Sequence, residues 1–158
     1  MQTLLQVIRA LEAIASRQPT VRQIVPNDVF RLNTIQDAHY GVFAWLQREH
    51  RENLDTGLLT VALTIFYVDR LTADQSNELE VQSVGIATLG NILREAQDLD
   101  IGVGEVRYNT FNQRFEDECA GVFASVELQV SIDWICAEDY EVSILDGYAF
   151  VKESEINA

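Results

Sequence analysis

Few residues in this sequence have the types and spacing that a catalytic or nucleotide-binding site requires. Gly102-Val103-Gly104 is the one Gly-x-Gly segment, and a dinucleotide site would need a third glycine and a helix directly after it. Here the segment precedes a predicted strand, so we predict no dinucleotide site. The sequence also has neither a phosphate-binding loop nor the pentapeptide in which hydrolases hold a nucleophilic serine.

The possible metal ligands are poorly placed as well. His39 and His50 are eleven residues apart and match no His-x-x-Glu-His pattern, so we interpret both as ordinary strand and loop residues. Two pairs of close carboxylates could be drawn as a hard-metal site; they are Asp98 with Asp100 and Asp117 with Glu118. Such pairs arise by chance in a chain with twenty-five Asp and Glu. We therefore predict no metal site and no cofactor.

The two cysteines, Cys119 and Cys136, lack the spacing of zinc ligands, and Cys119 has no identifiable histidine partner that would make it a nucleophile. The N-terminal residues lack the basic start and the unbroken apolar run of a signal peptide. We therefore interpret both cysteines as reduced, packed thiols in a protein that is made in the cytoplasm and not secreted. We expect the protein not to be an enzyme.

The composition of the chain limits the kinds of partner that it can bind. The chain has 158 residues, enough for one domain with its own core, and 47% of them are hydrophobic, which excludes wholesale disorder. Its formal net charge is −14. Binding to phosphates or to an anionic membrane surface depends on cations, so we predict neither non-specific nucleic-acid binding nor membrane attachment. No segment approaches the roughly 20 apolar residues of a membrane-spanning helix.

The negative charge increases along the chain. Residues 1–53 carry a net charge of +1, residues 54–104 carry −6 and residues 105–158 carry −9. Ten of the eleven cations are arginine, which is favoured at ordered interfaces because its planar guanidinium can bind a carboxylate with two hydrogen bonds. Either a basic part of one copy contacts an acidic part of the next, or the surface charge is uneven and solvated. In the first case the candidate subunit-interface residues are Arg22, Arg31, Arg48, Arg51, Arg107, Arg114, Glu127 and Asp133.

Two amphipathic helices are predicted. The first has a single apolar stripe and ends before Pro19; the stripe is Leu4, Ile8, Leu11 and Ala15. The second begins with a Ser76 cap and ends at about Gln97. Its predicted buried stripe is Ile86, Leu89, Leu93 and Ala96. Gly85 and Gly90 lie inside this helix and indicate close packing against a sheet.

Period-two alternation predicts the strands of the first half. Residues 39–48 form a strand with aromatic side chains, and residues 48–53 form a charged loop. The next strand starts at Leu58, and its odd-numbered residues up to Tyr67 form a wholly apolar face.

The second half of the sequence predicts a long β-hairpin. Residues 105–114 form a polar strand, residues 115–121 a bend, and residues 122–134 alternate between apolar and polar side chains. At about 3.3 Å per residue the last strand is ~46 Å long, far beyond the usual five or six residues. We expect it either to curl around a barrel or to project beyond its domain.

Residues 137–158 differ from the rest of the chain. They carry six Asp or Glu and an apolar patch formed by Tyr148, Phe150 and Val151. We predict that residues 1–136 form a single α+β domain and residues 137–158 an acidic C-terminal arm. The patch is either a docking element that becomes ordered on a partner or a part that packs on the chain's own domain.

Together these elements predict an α+β fold, with a mostly antiparallel β-sheet, two helices packed on one face and a long C-terminal β-hairpin. The order of elements resembles that of tail terminator and head–tail joining proteins of tailed bacteriophages, especially the small ring-forming neck and connector proteins. The resemblance covers about residues 1–136, and its segments are Leu4-Leu5-Gln6-Val7-Ile8-Arg9-Ala10-Leu11 and residues 59–67, 81–89 and 126–132.

The resemblance implies a tail-terminator-like fold and a virion structural protein of the neck or tail. It implies a ring of six or twelve copies around the channel through which DNA passes, with neighbouring virion proteins of the connector or tail as partners. Such a ring uses a heterologous contact between copies, to which the long hairpin would contribute. The arm would bind a neighbouring ring, and an acidic wall would let DNA slide without sequence-specific binding. An acidic adaptor or DNA-mimic binding module is the alternative, and a small carboxylate enzyme is a third.

Overall fold

Two helices and seven strands form the part of the chain that the computed structural model describes, which is residues 4–27, 40–114 and 118–131. The helices are α1 (Leu4–Arg17) and α2 (Glu78–Asp98). The strands are β1 (Gln23–Val25), β2 (Val42–Gln47), β3 (Arg51–Asn53), β4 (Leu58–Arg70), β5 (Gly102–Val103), β6 (Arg107–Arg114) and β7 (Glu118–Ser131). The predicted boundary between a domain and an arm after residue 136 lies outside the described residues.

All seven strands belong to one sheet. Its order is β1-β2-β4-β7-β5, with β3 also beside β4 and β6 also beside β7. The pairing of β1 with β2 is parallel, and the other pairings are antiparallel. The predicted α+β fold with a mostly antiparallel sheet and a C-terminal hairpin is therefore confirmed.

The central pair of the sheet is β4 with β7, which stay in register from Leu58 opposite Ser131 to Arg70 opposite Cys119. The odd-numbered residues of β4 and the even-numbered residues of β7 lie on the face towards the helices, as their alternation predicts. The predicted strand of about fourteen residues has this length but begins at Glu118, inside the predicted bend. Within the described residues it does not project from the sheet, because β4 is almost as long and pairs along it.

Both helices pack on the same face, which we call the helix face. The buried stripe of α1 includes Val7, Leu11 and Ile14, and that of α2 is centred on Leu89 and Ile92. These side chains form one core cluster with the helix-face residues of the strands. Their burial is the main stabilising contribution, at roughly 25 cal/mol for each Å² of apolar surface removed from water.

Two details of the predicted second helix are wrong. Ile86 is 40% exposed because it lies at the margin of the buried stripe. The residue at the N-cap position is Asn77 instead of Ser76, and its side chain makes no cap hydrogen bond. The Ser76 hydroxyl instead donates to Asp74 Oδ1 at 2.9 Å, which closes the loop before the helix.

Gly85 is confirmed as a site of close packing. A Cβ atom there would lie 2.9 Å from Val122 Cγ2 and 3.0 Å from Tyr67 Cδ1. Two further glycines fit around the same tyrosine, because a Cβ at Gly41 would lie 2.6 Å from its hydroxyl and a Cβ at Gly121 would overlap its carbonyl oxygen. Gly85 and Gly41 therefore leave room for the buried ring of Tyr67, and Gly121 leaves room for its backbone carbonyl.

The face of the sheet away from the helices, which we call the opposite face, has two halves. The upper half, at the end of the sheet where Arg70 pairs with Cys119, is apolar. Its residues Val42, Val68 and Cys119 are fully buried, which confirms the predicted packing of the Cys119 thiol. The Phe123 ring lies 6.0 Å from Phe66 and 6.2 Å from Phe111 between ring centroids. Cys136 lies outside the described residues. The lower half is polar, and it carries the site described next.

Candidate interaction surface on the opposite face of the sheet

The lower half of the opposite face is shaped by a bulge between β2 and β3. Gln47 pairs with Leu63 and Arg51 pairs with Thr60, so residues 48–50 oppose only two residues of β4. An extra residue of this kind leaves backbone groups unpaired and bends the strand. The predicted charged loop at residues 48–53 is therefore wrong in part, because β3 resumes the pairing immediately after the bulge.

A second bulge lies at the same level on the other side of the sheet. Val103 of β5 pairs with Leu128 and Arg107 of β6 pairs with Ser125, so residues 104–106 oppose Val126 and Glu127. The two short strands β5 and β6 thus form one bulged strand along β7. Since Ala62 pairs with Glu127, the two bulges flank the same step of the central β4–β7 pair.

Side chains from the first bulge bind backbone groups that the bulges leave available. The Ala62 amide donates to Nδ1 of His50 at 3.1 Å, and the Arg48 guanidinium donates to the carbonyl oxygen of Val126 at 3.2 Å. Because Nδ1 accepts a hydrogen bond, the imidazole proton resides on Nε2, which donates to Gln47 Oε1 at 3.0 Å. Arg48 reaches across β4 to make its contact, over Ala62, which is 2% exposed.

An ion pair joins β3 to β7 across the same surface. The Arg51 guanidinium binds Glu127 Oε1 at 3.0 Å, and both side chains are about half exposed. An exposed pair of this kind contributes only about 0–1 kcal/mol to stability, so we assign it a role in orienting the two side chains.

Two grooves flank this ion pair. One, of about 670 Å³, lies at the second bulge and is lined by residues that include Arg48, Arg107 and Glu127. The other, of about 760 Å³, lies against the β3–β4 turn and is lined by Arg51 and residues 52–56, among others. Gln129 lines both grooves. The result is a broad polar surface with charges of both signs.

The structure brings together four of the eight predicted subunit-interface residues. Arg48, Arg51, Arg107 and Glu127 share the lower half of the opposite face, and all four already have partners within the chain. Arg107 lies 3.6 Å from Glu105, with both side chains about four-fifths exposed.

Two of the remaining predicted site residues lie elsewhere on the described fold. Arg22 is exposed next to β1, where its backbone amide donates to the Gly41 carbonyl at 2.9 Å, and Arg114 ends β6. Five predicted residues lie outside the described residues; they are Arg31, Asp133, Tyr148, Phe150 and Val151. His50 belongs to the surface, although its sequence context predicts an ordinary loop residue. The only signal for it in the sequence is its position inside a polar interruption between two alternating segments.

The outer strand of the hairpin, at the edge of the sheet, is contacted by two glutamine side chains from α2. Gln82 Nε2 donates to the Phe111 carbonyl of β6, and Gln97 Nε2 donates to the Val103 carbonyl of β5, each at 3.4 Å. Edge strands are open to pairing with other chains unless something covers them. The overhanging helix therefore competes with strand addition at these two carbonyls.

The described residues contain no group of three or more His, Cys, Asp or Glu side chains that could hold a metal ion. Among the described helices, neither is long and apolar enough to cross a membrane. Comparison of the sequence with protein-family models and with curated proteins gives no match.

Proposed function

We propose that this protein is a virion structural protein that forms a ring in the head–tail connector or tail-terminator region of a tailed bacteriophage, around the channel through which DNA passes. The observation that carries the proposal is the architecture. The resemblance rests on α1, β4, α2 and the long hairpin. The strands among these elements lie in one sheet, and both helices pack on one face of it. The proposal includes no catalytic step and no cofactor.

The charged surface is compatible with a heterologous contact between copies. Arg48 and Arg51 have partners within their own chain, so a neighbouring copy would have to compete for them. Arg107 is the more accessible cation, because its contact with Glu105 is long and about four-fifths of its side chain is exposed. We therefore assign Arg107 to the contact with the next copy.

The distribution of acids supports passage of DNA without binding. Residues 54–104 and 105–158 carry net charges of −6 and −9, so most of the chain repels a phosphate backbone. In this proposal the ring guides DNA by exclusion. Its partners are its own copies and the neighbouring virion proteins, and the acidic arm at residues 137–158 contacts the neighbouring ring.

Native mass spectrometry and electron-microscope class averages of the purified full chain test the assembly. We expect a closed ring of six or twelve copies of the 17.9-kDa chain, alone or with the neighbouring virion proteins. A monomer that persists at all salt concentrations in the presence of those proteins would contradict the proposal. A monomer that instead binds a cationic protein groove would favour the acidic adaptor or DNA mimic.

Charge reversal tests the assigned contact. Arg107→Glu should weaken the ring, because it places a carboxylate where the next copy presents acids. Arg94→Glu is the matched control, since Arg94 is also exposed but lies on α2 and bonds Asn91 within the same helix. A folded Arg107→Glu variant that assembles as well as the control would remove Arg107 from the contact and leave the ring itself to the mass measurement.

A further inference from the structure

Regular strand pairing involves the fewest strands at the level of the two bulges, although the Arg48 amide still donates to the Ala62 carbonyl oxygen there at 2.9 Å. Residues 48–50 interrupt the β2–β3 strand there, and residues 104–106 interrupt the β5–β6 strand. Among the described strands, only the β4–β7 pair continues without a break through Ala62 and Glu127. Because a bulge bends its strand and increases the local twist, we take this line as the place where the sheet bends.

Beyond the line, β3 and the β3–β4 turn have few buried side chains, whereas Leu59 packs against the core and Val130, its partner on β7, is buried. We call residues 51–60, which comprise β3, the turn and the start of β4, the tip. All three residues of β3 are exposed, Leu54 is 84% exposed, and the first fully buried residue of β4 is Val61. Regions with few buried apolar contacts and exposed backbone open at a lower free energy than the core.

We infer that the tip is a hinged unit that opens and closes on the rest of the sheet, with Arg48 and His50 as the side chains that hold it closed. His50 accepts a hydrogen bond from the amide of Ala62, the β4 residue at the hinge line. Arg48 joins the first bulge to Val126 across β4 by donating to its carbonyl oxygen. The Arg51–Glu127 pair adds a contact from the tip itself. This inference is independent of the proposed function, because it depends only on the register of the strands and on contacts within one chain.

The two contacts are specific to the hinge. Without His50 the buried amide of Ala62 loses its acceptor, and without Arg48 the Val126 carbonyl loses a charged donor. Leaving a buried donor or acceptor unpaired costs more than an ordinary exposed contact gains. Removal of either side chain should therefore shift the opening of the tip more than it shifts unfolding of the core.

Hydrogen exchange of the intact chain, resolved by residue with NMR, tests this inference. In Arg48→Ala and His50→Ala we expect the amides of residues 58–60 and 129–131 to exchange about tenfold faster than in the unaltered protein. The amides of α2 and of residues 65–68 should change less than twofold. Arg17→Ala is the matched control, because it removes an exposed arginine that pairs with Glu95 on the helix side.

Two results would overturn the hinge. One is unchanged exchange at residues 58–60 in both variants. The other is an equal rise across α2 and the tip, which would show that the side chains support the whole fold. Should a variant fail to fold, the unaltered protein decides: residues 58–60 must exchange through an opening weaker in denaturant dependence than global unfolding, and exchange only by global unfolding refutes the inference.

Discussion

Burial and a nearby carboxylate both raise the pKa of Tyr67. Its hydroxyl lies 3.4 Å from the Thr20 carbonyl oxygen and 3.5 Å from Asp69 Oδ2, so its single proton is donated to one or the other, at the top of the helix face. Burial, followed by the adjacent Asp69 carboxylate, raises the pKa of Tyr67 to about 12. Both effects disfavour the phenolate, so the folded chain holds the proton more tightly than the unfolded chain does.

This pKa predicts alkaline sensitivity. The contribution of Tyr67 is complete below pH 10, the ordinary pKa of an exposed tyrosine, and it is lost as the pH rises towards 12. The free energy of unfolding, measured with urea at pH 9, 10 and 11, should therefore fall with pH in the unaltered protein. The slope should be smaller in Tyr67→Phe. Equal slopes would mean that other groups, such as Tyr108, whose pKa burial also raises, account for the loss.

Gly85 and Gly90 should respond in opposite directions to the same change. Alanine gains about 1 kcal/mol of helix propensity at either position, but overpacking a core costs about 1–3 kcal/mol. At Gly85 the new Cβ would press on Val122 and Tyr67, so we expect Gly85→Ala to destabilise the protein by up to about 2 kcal/mol.

Gly90→Ala is the control for that prediction. Its new Cβ would meet only the ends of the Arg94 and Tyr108 side chains, each at 3.3 Å, and both can move aside. We expect the free energy of unfolding in urea to stay the same or to rise by up to about 1 kcal/mol. A Gly85→Ala variant as stable as Gly90→Ala would contradict the packing described around Tyr67.

At the scale of elements, long alternation is the reliable signal. The faces of β4 and β7 follow directly from a period of two sustained over thirteen or fourteen residues. The bulges give no such signal, because an extra residue changes the hydrogen-bond register without changing composition. For this reason the sequence predicts a loop over residues 48–53 and does not reveal the short strand β3.

The surface residues illustrate the same limit. Charge alone selects Arg48, Arg51 and Glu127, and the structure places them together. Charge could not predict that Arg51 and Glu127 bind each other, because they are distant in sequence and meet only through the β3–β4–β7 register. Nor could it identify His50, whose role depends on the one amide that the bulge leaves available.

The contact of α2 with the hairpin edge predicts resistance to strand addition. In Gln82→Ala/Gln97→Ala the carbonyls of Phe111 and Val103 lose these donors, so the edge becomes more available to another chain. We expect faster growth of β-rich aggregates, followed by light scattering and infrared spectroscopy. Asn91→Ala, which removes an α2 amide bonded only within the helix, should aggregate at the rate of the unaltered protein. Equal rates in all three proteins would contradict a protective role.

At the scale of the whole molecule, the net negative charge increases towards the C-terminal end of the sequence. Residues 132–158 alone carry a net charge of −6, out of −14 for the chain. The described ion pairs are few and mostly exposed; they are Arg9–Glu12, Arg17–Glu95, Arg51–Glu127 and Arg107–Glu105. The fold therefore depends on its apolar core, and the charge of the chain as a whole is repulsive.

This balance predicts the response to salt. Exposed ion pairs contribute about 0–1 kcal/mol each, and salt screens them as well as the repulsion among the acids. Raising NaCl from about 0.05 to about 0.5 M should leave the free energy of unfolding unchanged or increase it by up to about 1 kcal/mol, since the net repulsion among the acids outweighs the attraction within the ion pairs. Urea titrations followed by circular dichroism measure the free energy of unfolding directly.

Native mass measurements at the same salt concentrations report assembly. A ring held by Arg107 should dissociate over this range of NaCl concentration while the subunit stays folded. A fall of the unfolding free energy with salt would instead show that ion pairs hold the subunit together.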